Sequence, residues 1–181
     1  VIIFIMSWLT PLMALLIKLD SKGPAFFKQY RSGRNNEPFV CYKFRTMRVN
    51  RESDKKQATK NDVRITKIGR FLRKSNLDEL PQFFNVLKGE MSVVGPRPHM
   101  ISHTEEFSQQ VDRFMLRHHV KPGITGLAQA KGYRGETNTD TKLKNRIKLD
   151  RFYVENWSLM FDIKIIALTI LSMIKGDENA Y

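Results

Sequence analysis

Asp78 and Glu79 stand side by side in SNLDELPQFFNVLKGEMSVVGPRP, Ser75 to Pro98, with Arg73 just before the pair and Arg97 between two prolines just after it. Adjacent residues on a helix point about 100° apart, so the two acids can take different tasks. A carboxylate held ionised by an arginine or a helix N-terminus can attack phosphorus or bind a divalent metal. Flanking prolines fix the backbone around Arg97, whose guanidinium suits a phosphate. A plainer reading stands beside this one. Ser75-Asn76-Leu77-Asp78 matches the Ser/Thr-x-x-Asp/Glu capping box, and Asp78 would equally cap a helix that Pro81 helps to start. Gly95-Pro96-Arg97-Pro98 would equally be a rigid turn with an exposed arginine. His99 and His103, four apart, can put two metal ligands on one helical face, but no third ligand accompanies them and surface histidines explain them as well. His118-His119 is a weaker signal still.

Elements around these residues follow from periodicity and punctuation. A helix is predicted from about Glu79 to Lys88, stopped by Gly89. Before it, Arg64 to Arg73 sets Ile65, Ile68 and Leu72 near one face, with Lys67, Arg70 and Lys74 elsewhere. This is a basic amphipathic helix, either a solvated face over a packed one or a face docked on anionic headgroups. Ala25-Phe26-Phe27 and Phe39 to Tyr42, separated by the turn-rich Ser32 to Asn36, predict a hairpin of short strands. Val49 to Asp62 is polar and reads as a surface loop. Helices are expected over His103 to His119 and Arg146 to Glu155, and Lys121 to Gly135 offers glycine turns without the Walker GxxxxGK pattern. The fold class is mainly α with minor β.

Both ends are apolar. Val1 to Ile17 carries no charged side chain, and about 17 residues at 1.5 Å rise reach about 26 Å, short of a bilayer core of about 30 Å. Thr10-Pro11 falls mid-segment and would kink or break a helix, so residues 1–20 read as a re-entrant membrane helix and 21–181 as the catalytic domain. Leu159 to Lys175 is apolar but interrupted by Asp162 and Lys164, an interfacial rather than a spanning pattern. The chain opens at Val1 rather than Met and reads as a fragment.

Thirty-one Lys plus Arg against 18 Asp plus Glu leave a net charge of +13, which points to anionic partners without choosing among them. The single cysteine, Cys41, excludes an intramolecular disulfide and a thiolate zinc site.

YKFRTM (Tyr42 to Met47), RITKIGRFLRKSNLDELPQFFNVLKGEMSVVGPRP (Arg64 to Pro98), VKPGITG (Val120 to Gly126) and FDIK (Phe161 to Lys164), in that order, resemble the bacterial sugar transferase family, the monotopic polyprenyl-phosphate phosphoglycosyl transferases. The resemblance implies an enzyme on the cytoplasmic face of the bacterial inner membrane that moves a sugar-1-phosphate from a UDP-sugar to undecaprenyl phosphate. It implies Asp78 as the nucleophile of a covalent phosphosugar intermediate and Glu79 as a ligand of Mg²⁺. It further implies Lys43, Arg73, Arg97, Arg134 and Asp162 as substrate or metal contacts. Thr10-Pro11 matches the Ser-Pro break of the family's re-entrant helix. Leu127 replaces a common Trp, and Ala130-Lys131 a common Val-Asn. The GYRGET stretch, Gly132 to Thr137, and the terminal NAY resemble members that transfer glucose-1-phosphate in exopolysaccharide synthesis. Expected partners are the UDP-sugar, undecaprenyl phosphate and membrane lipids. A homodimer is compatible with the sequence, and nucleic acid is not expected. The rival class is a membrane-anchored basic binding or scaffold protein without turnover.

Overall fold

The computed structural model describes residues 2–49, 62–133 and 140–175, and they are mainly helical with two small sheets. The expected polar loop lies, apart from Val49 and Asp62, outside the described residues, as do Arg134, the rest of GYRGET and the terminal NAY.

Helix α1 (Ile2–Asp20) runs without interruption through Pro11. One face carries Met13 and Ile17, packed against Phe44 and Leu72. The other leaves Phe4, Trp8, Leu12, Leu15 and Leu19 exposed. No helix among the described residues is long and apolar enough to cross a membrane.

The hairpin forms where the two short apolar runs flank a turn-rich segment, as β1 (Phe26–Ser32) and β2 (Pro38–Phe44), antiparallel with Phe26 opposite Phe44 and Ser32 opposite Pro38. Its connection places Asn35 and Asn36 in the left-handed region, which asparagine tolerates better than most residues. Period-2 geometry sets Phe39, Cys41 and Lys43 on one face of β2. Phe39 and Cys41 pack there with Met91, and Lys43 continues the row toward the acid pair.

Helix α2 (Lys67–Lys74) starts later than its apolar pattern suggested, because Thr66 caps it, accepting from the Gly69 N–H at 3.0 Å. Asp20, at the end of α1, accepts from the Ile68 N–H at 3.0 Å. The first two helices are thereby tied end to start.

The predicted helix over 79–88 resolves into two pieces, a 3₁₀ turn at Leu77–Glu79 and α3 (Gln82–Leu87). Pro81 explains the division: it has no N–H, and its ring would collide with the carbonyl of Leu77 in a continuous helix. Gly89, at φ +79°, follows the end of α3.

Strand β3 (Ser92–Val94) pairs in parallel with β4 (Gly123–Thr125). The single helix expected over 103–119 is instead α4 (Ile101–Gln110) and a 3₁₀ segment, Phe114–His119, separated where Arg113 turns left-handed at φ 55°. Helix α5 (Leu127–Ala130) leads toward α6 (Asp140–Glu155) and α7 (Leu159–Lys175). Leu127 is buried with Val94, Tyr153 and Ile165, so this departure from the family pattern is a core side chain. Along α7, Leu159, Met160, Ile163, Ile170 and Ile174 are exposed.

Candidate active site

The capping box does not form. Asn76 adopts the left-handed conformation (φ 55°, ψ 15°) and ends α2, its N–H reaching the Arg73 carbonyl at 3.1 Å. Ser75 therefore serves the helix behind it, its hydroxyl donating to the carbonyls of Phe71 at 2.9 Å and Leu72 at 3.2 Å. Asp78 is equally not a cap, since Pro81 stands at the N-cap of α3 and no side chain caps that helix. Both acids sit instead on the one-turn 3₁₀ segment, half-buried and facing β2.

Glu79 is clamped. Lys43 Nζ donates to its Oε1 at 2.6 Å, Arg97 Nη2 donates to the same oxygen at 2.7 Å, and Arg97 Nη1 donates to Oε2 at 3.2 Å. Burial would push this carboxyl up, but Arg97 and Lys43 overcome it and hold Glu79 well below the usual carboxylate range. Glu79 in turn raises the Arg97 guanidinium above its ordinary value.

Asp78 is the contrasting member. No hydrogen bond from a described residue reaches its carboxylate, and desolvation lifts its pKa from 3.8 to about 6, against the pull of Lys43, with Glu79 adding to the rise. Arg73 and Arg97 also attract it. The dyad thus holds one acid fully ionised and committed, and one uncommitted acid that ionises just below neutrality.

Each cation is placed by the chain around it. Lys43 depends on where β2 lies against α3, and Asn85 fixes that. Asn85 is fully buried, accepting from the Tyr42 N–H at 3.1 Å and donating to the Val40 carbonyl at 2.7 Å, as a neighbouring strand would. Arg73, in the last turn of α2, donates from Nε to the Thr46 hydroxyl at 2.8 Å. Its neighbour Arg45 donates to the carbonyls of Lys22 at 2.6 Å and Ser21 at 2.7 Å, just past the end of α1, where a cation also meets the helix dipole favourably. The motif YKFRTM thus joins the acid pair, α1 and α2 in six consecutive residues.

Two sequence-predicted contacts stand differently. Asp162 lies in the first turn of α7, accepting from the Tyr153 hydroxyl at 2.8 Å and from Trp157 Nε1 at 3.2 Å. Arg134 is outside the described residues. His99 and His103 do not form a metal pair. His99 is buried against Phe107 and Phe114 with Nδ1 3.1 Å from Arg117 Nη1, and desolvation holds its pKa well below the ordinary value.

No group of three or more His, Cys, Asp or Glu side chains able to hold a metal occurs among the described residues. The dyad's hard oxygens nevertheless suit Mg²⁺, which is commonly bound by one or two carboxylates together with substrate phosphates rather than by a protein cage.

The sequence profile of the bacterial sugar transferase family matches residues 1–176. The chain belongs to this family. It is 53% identical over 183 residues to the UDP-glucose:undecaprenyl-phosphate glucose-1-phosphate transferase of Klebsiella pneumoniae, covering 99% of this chain and 39% of that protein. The same-named transferase of Escherichia coli (strain K12) is 53% identical, over 92% of this chain and 36% of that protein. The exopolysaccharide production protein PSS of Rhizobium leguminosarum bv. phaseoli is 48% identical, over 88% of this chain and 82% of that protein. The chain therefore spans well under half the length of the first two relatives and most of the third.

Proposed function

We propose that this sugar transferase is a phosphoglycosyl transferase that moves a sugar-1-phosphate, glucose-1-phosphate first among them, from a UDP-sugar to undecaprenyl phosphate through a covalent intermediate on Asp78. The observation that carries the reading is the division of labour in the dyad. Glu79 is engaged by Lys43 and Arg97, while Asp78 accepts no hydrogen bond from a described residue and remains available to attack. The glucose assignment rests on the names of the first two relatives, and a place in exopolysaccharide synthesis on the name of the third.

In the first half-reaction an Asp78 carboxylate oxygen attacks the sugar-bearing phosphorus of the UDP-sugar. The oxygen–phosphorus bond to that residue forms as the bond to the bridging diphosphate oxygen breaks, and UMP leaves with the bonding pair. In the second, a phosphate oxygen of undecaprenyl phosphate attacks the same phosphorus, the bond to Asp78 breaks, and the carboxylate is restored. Arg97, Arg73 and Lys43 supply positive charge where the transferring group gains negative charge. Glu79, with the substrate's phosphate oxygens, would hold Mg²⁺, which when bound neutralises diphosphate charge and stabilises the departing nucleotide phosphate. Arg134 and Asp162 retain their family-implied roles as substrate or metal contacts in this reading, Asp162 keeping a free acceptor site on each oxygen beside its bonds from Tyr153 and Trp157.

The same reading sets the protein on the cytoplasmic face of the bacterial inner membrane, with α1 as its re-entrant element. Support comes from the exposed apolar side chains along α1 and α7, which suit contact with a membrane interface. UMP release across a panel of UDP-sugars, with and without Mg²⁺, tests the reaction and names the sugar. Absence of UMP release from every sugar nucleotide, with lipid acceptor present, would favour the rival scaffold reading.

A further inference from the structure

Pro96 and Pro98 have no backbone N–H, so the turn that carries Arg97 has two fewer donors and is anchored chiefly through its carbonyls. All four carbonyls from Pro96 to His99 are taken. Pro96 accepts from the Gly123 N–H at 3.0 Å, Pro98 from Arg31 Nη1 at 3.2 Å, and His99 from the Ser32 N–H at 3.1 Å. The carbonyl of Arg97 itself accepts from Arg117 Nη2 at 2.5 Å.

Arg117 is an unusual donor for this task. Its side chain is 1% exposed and pairs with Asp150, itself 2% exposed, Nη2 to Oδ2 at 2.8 Å and Nε to the same oxygen at 3.1 Å. Its Nη1 lies 3.1 Å from His99 Nδ1, two residues beyond Arg97. One planar guanidinium thus spans a carboxylate on α6, the Arg97 carbonyl and the His99 ring. Lysine could meet the carboxylate but not all three at once, because its ammonium is a single point with no rigid fork. A buried ion pair gives little net stability after desolvation, so stability alone is a weak reason for this arrangement.

We infer that Arg117 is a positioning residue for Arg97, fixing the backbone from which the Arg97 guanidinium reaches Glu79, with Asp150 as the counter-charge that lets it lie buried. The inference rests on the proposed role of Arg97 in the transfer reaction. A residue that acts through another leaves a recognisable signature, because its removal costs little once that other residue is already impaired.

The test compares the full-length protein with its Arg117→Lys, Arg97→Lys and doubly substituted variants. It follows UMP release from UDP-glucose together with amide hydrogen exchange at Ser32 and Gly123, the backbone donors to the turn. Arg117→Lys is expected to lower kcat roughly 10- to 100-fold, as a misplaced catalytic group would, with KM changed far less. Exchange should quicken at Ser32 and Gly123, whose N–H groups donate to the turn's carbonyls, and not across the chain at large. The double variant should be no slower than Arg97→Lys alone. Losses that simply multiply, or unchanged exchange at Ser32 and Gly123, overturn the inference. If Arg117→Lys does not fold, Asp150→Asn takes its place in the same cycle with the same two outcomes. Should the wild-type protein release no UMP from any UDP-sugar, the transfer reading is what fails. The exchange at Ser32 and Gly123 then decides by itself whether Arg117 holds Arg97.

Discussion

Arg97 meets Glu79 with both terminal nitrogens, Nη2 to Oε1 at 2.7 Å and Nη1 to Oε2 at 3.2 Å, in a two-pronged pairing across 18 residues of sequence. Such pairing fixes direction as well as charge. It takes one acceptor site on each oxygen of the second acid, while the first accepts no hydrogen bond from a described residue, so the dyad's two carboxyls titrate far apart although they are neighbours in the chain.

The pH dependence follows from that separation. With Asp78 titrating at about 6, log kcat/KM for the UDP-sugar should rise with pH below about 6 and level off above it. In Glu79→Gln the neighbouring negative charge that raises Asp78 is gone, so the acid limb should move to lower pH. Over the same range kcat should fall on the order of 100-fold or more, from loss of charge organisation at the site. An acid limb that stays in place in Glu79→Gln would break the link between the two carboxyls.

Asp78→Asn should eliminate both UMP release and the covalent phosphosugar adduct, read by intact-protein mass spectrometry. It should also stabilise the protein. The folded-state pKa lies above the unperturbed 3.8, so the folded protein holds this proton more tightly than the unfolded chain does. The associated stability is fully present below 3.8 and is lost as pH rises through about 6. A neutral amide escapes that loss, so the variant should melt on the order of 5 °C higher at pH 7.5, by the free energy of a two-unit shift, and show little gain at pH 3.5. A lower melting temperature at pH 7.5 would mean that the cations around Asp78 outweigh its desolvation.

Gly69→Ala probes how α2 is seated. A Cβ there would lie 1.9 Å from the Thr46 carbonyl oxygen, against backbone that cannot swing aside. Helix α2 would have to lift from the residues after β2, breaking the Arg73 contact to Thr46. The expected cost is about 3 kcal/mol or more in urea unfolding, in the range of severe overpacking, even though alanine is the better helix former. Unchanged stability would show that α2 stands off Thr46.

The exposed face of α1 predicts lipid binding. Leu12→Asp combined with Leu15→Asp should reduce the fraction bound to anionic vesicles about 10-fold or more, given the transfer energy of two leucines, while far-UV circular dichroism stays the same. Equal binding of the variant would move the membrane contact away from this helix.

Much of this was legible from the chain. Two short apolar runs around a turn-rich stretch located the hairpin, and three residues at helical spacing located α2. The acid pair stood out because nothing in an ordinary helix start requires two acids. The capping box misled because Ser75-x-x-Asp78 is a local pattern, whereas the left-handed turn at Asn76 decides which helix Ser75 serves. Asn85 and Arg117 were not legible. Each acts on backbone groups of a distant segment, Tyr42 and Val40 for the first and Arg97 for the second, and a single sequence records no such distance.

The four donors to the Pro96–His99 carbonyls come from Ser32, Arg31, Arg117 and Gly123, so nothing within the turn's own neighbourhood can hold it. Contacts between remote segments form only after the entropy of closing long loops has been met, which places them late in folding. The hairpin, the 3₁₀ segment before β4 and β4 itself must all be in place before Arg97 has a fixed position. A newly made chain would therefore carry its acid pair for some time before the arginine that disciplines it arrives, and the ability to hold a nucleotide sugar would report completed folding rather than accompany it.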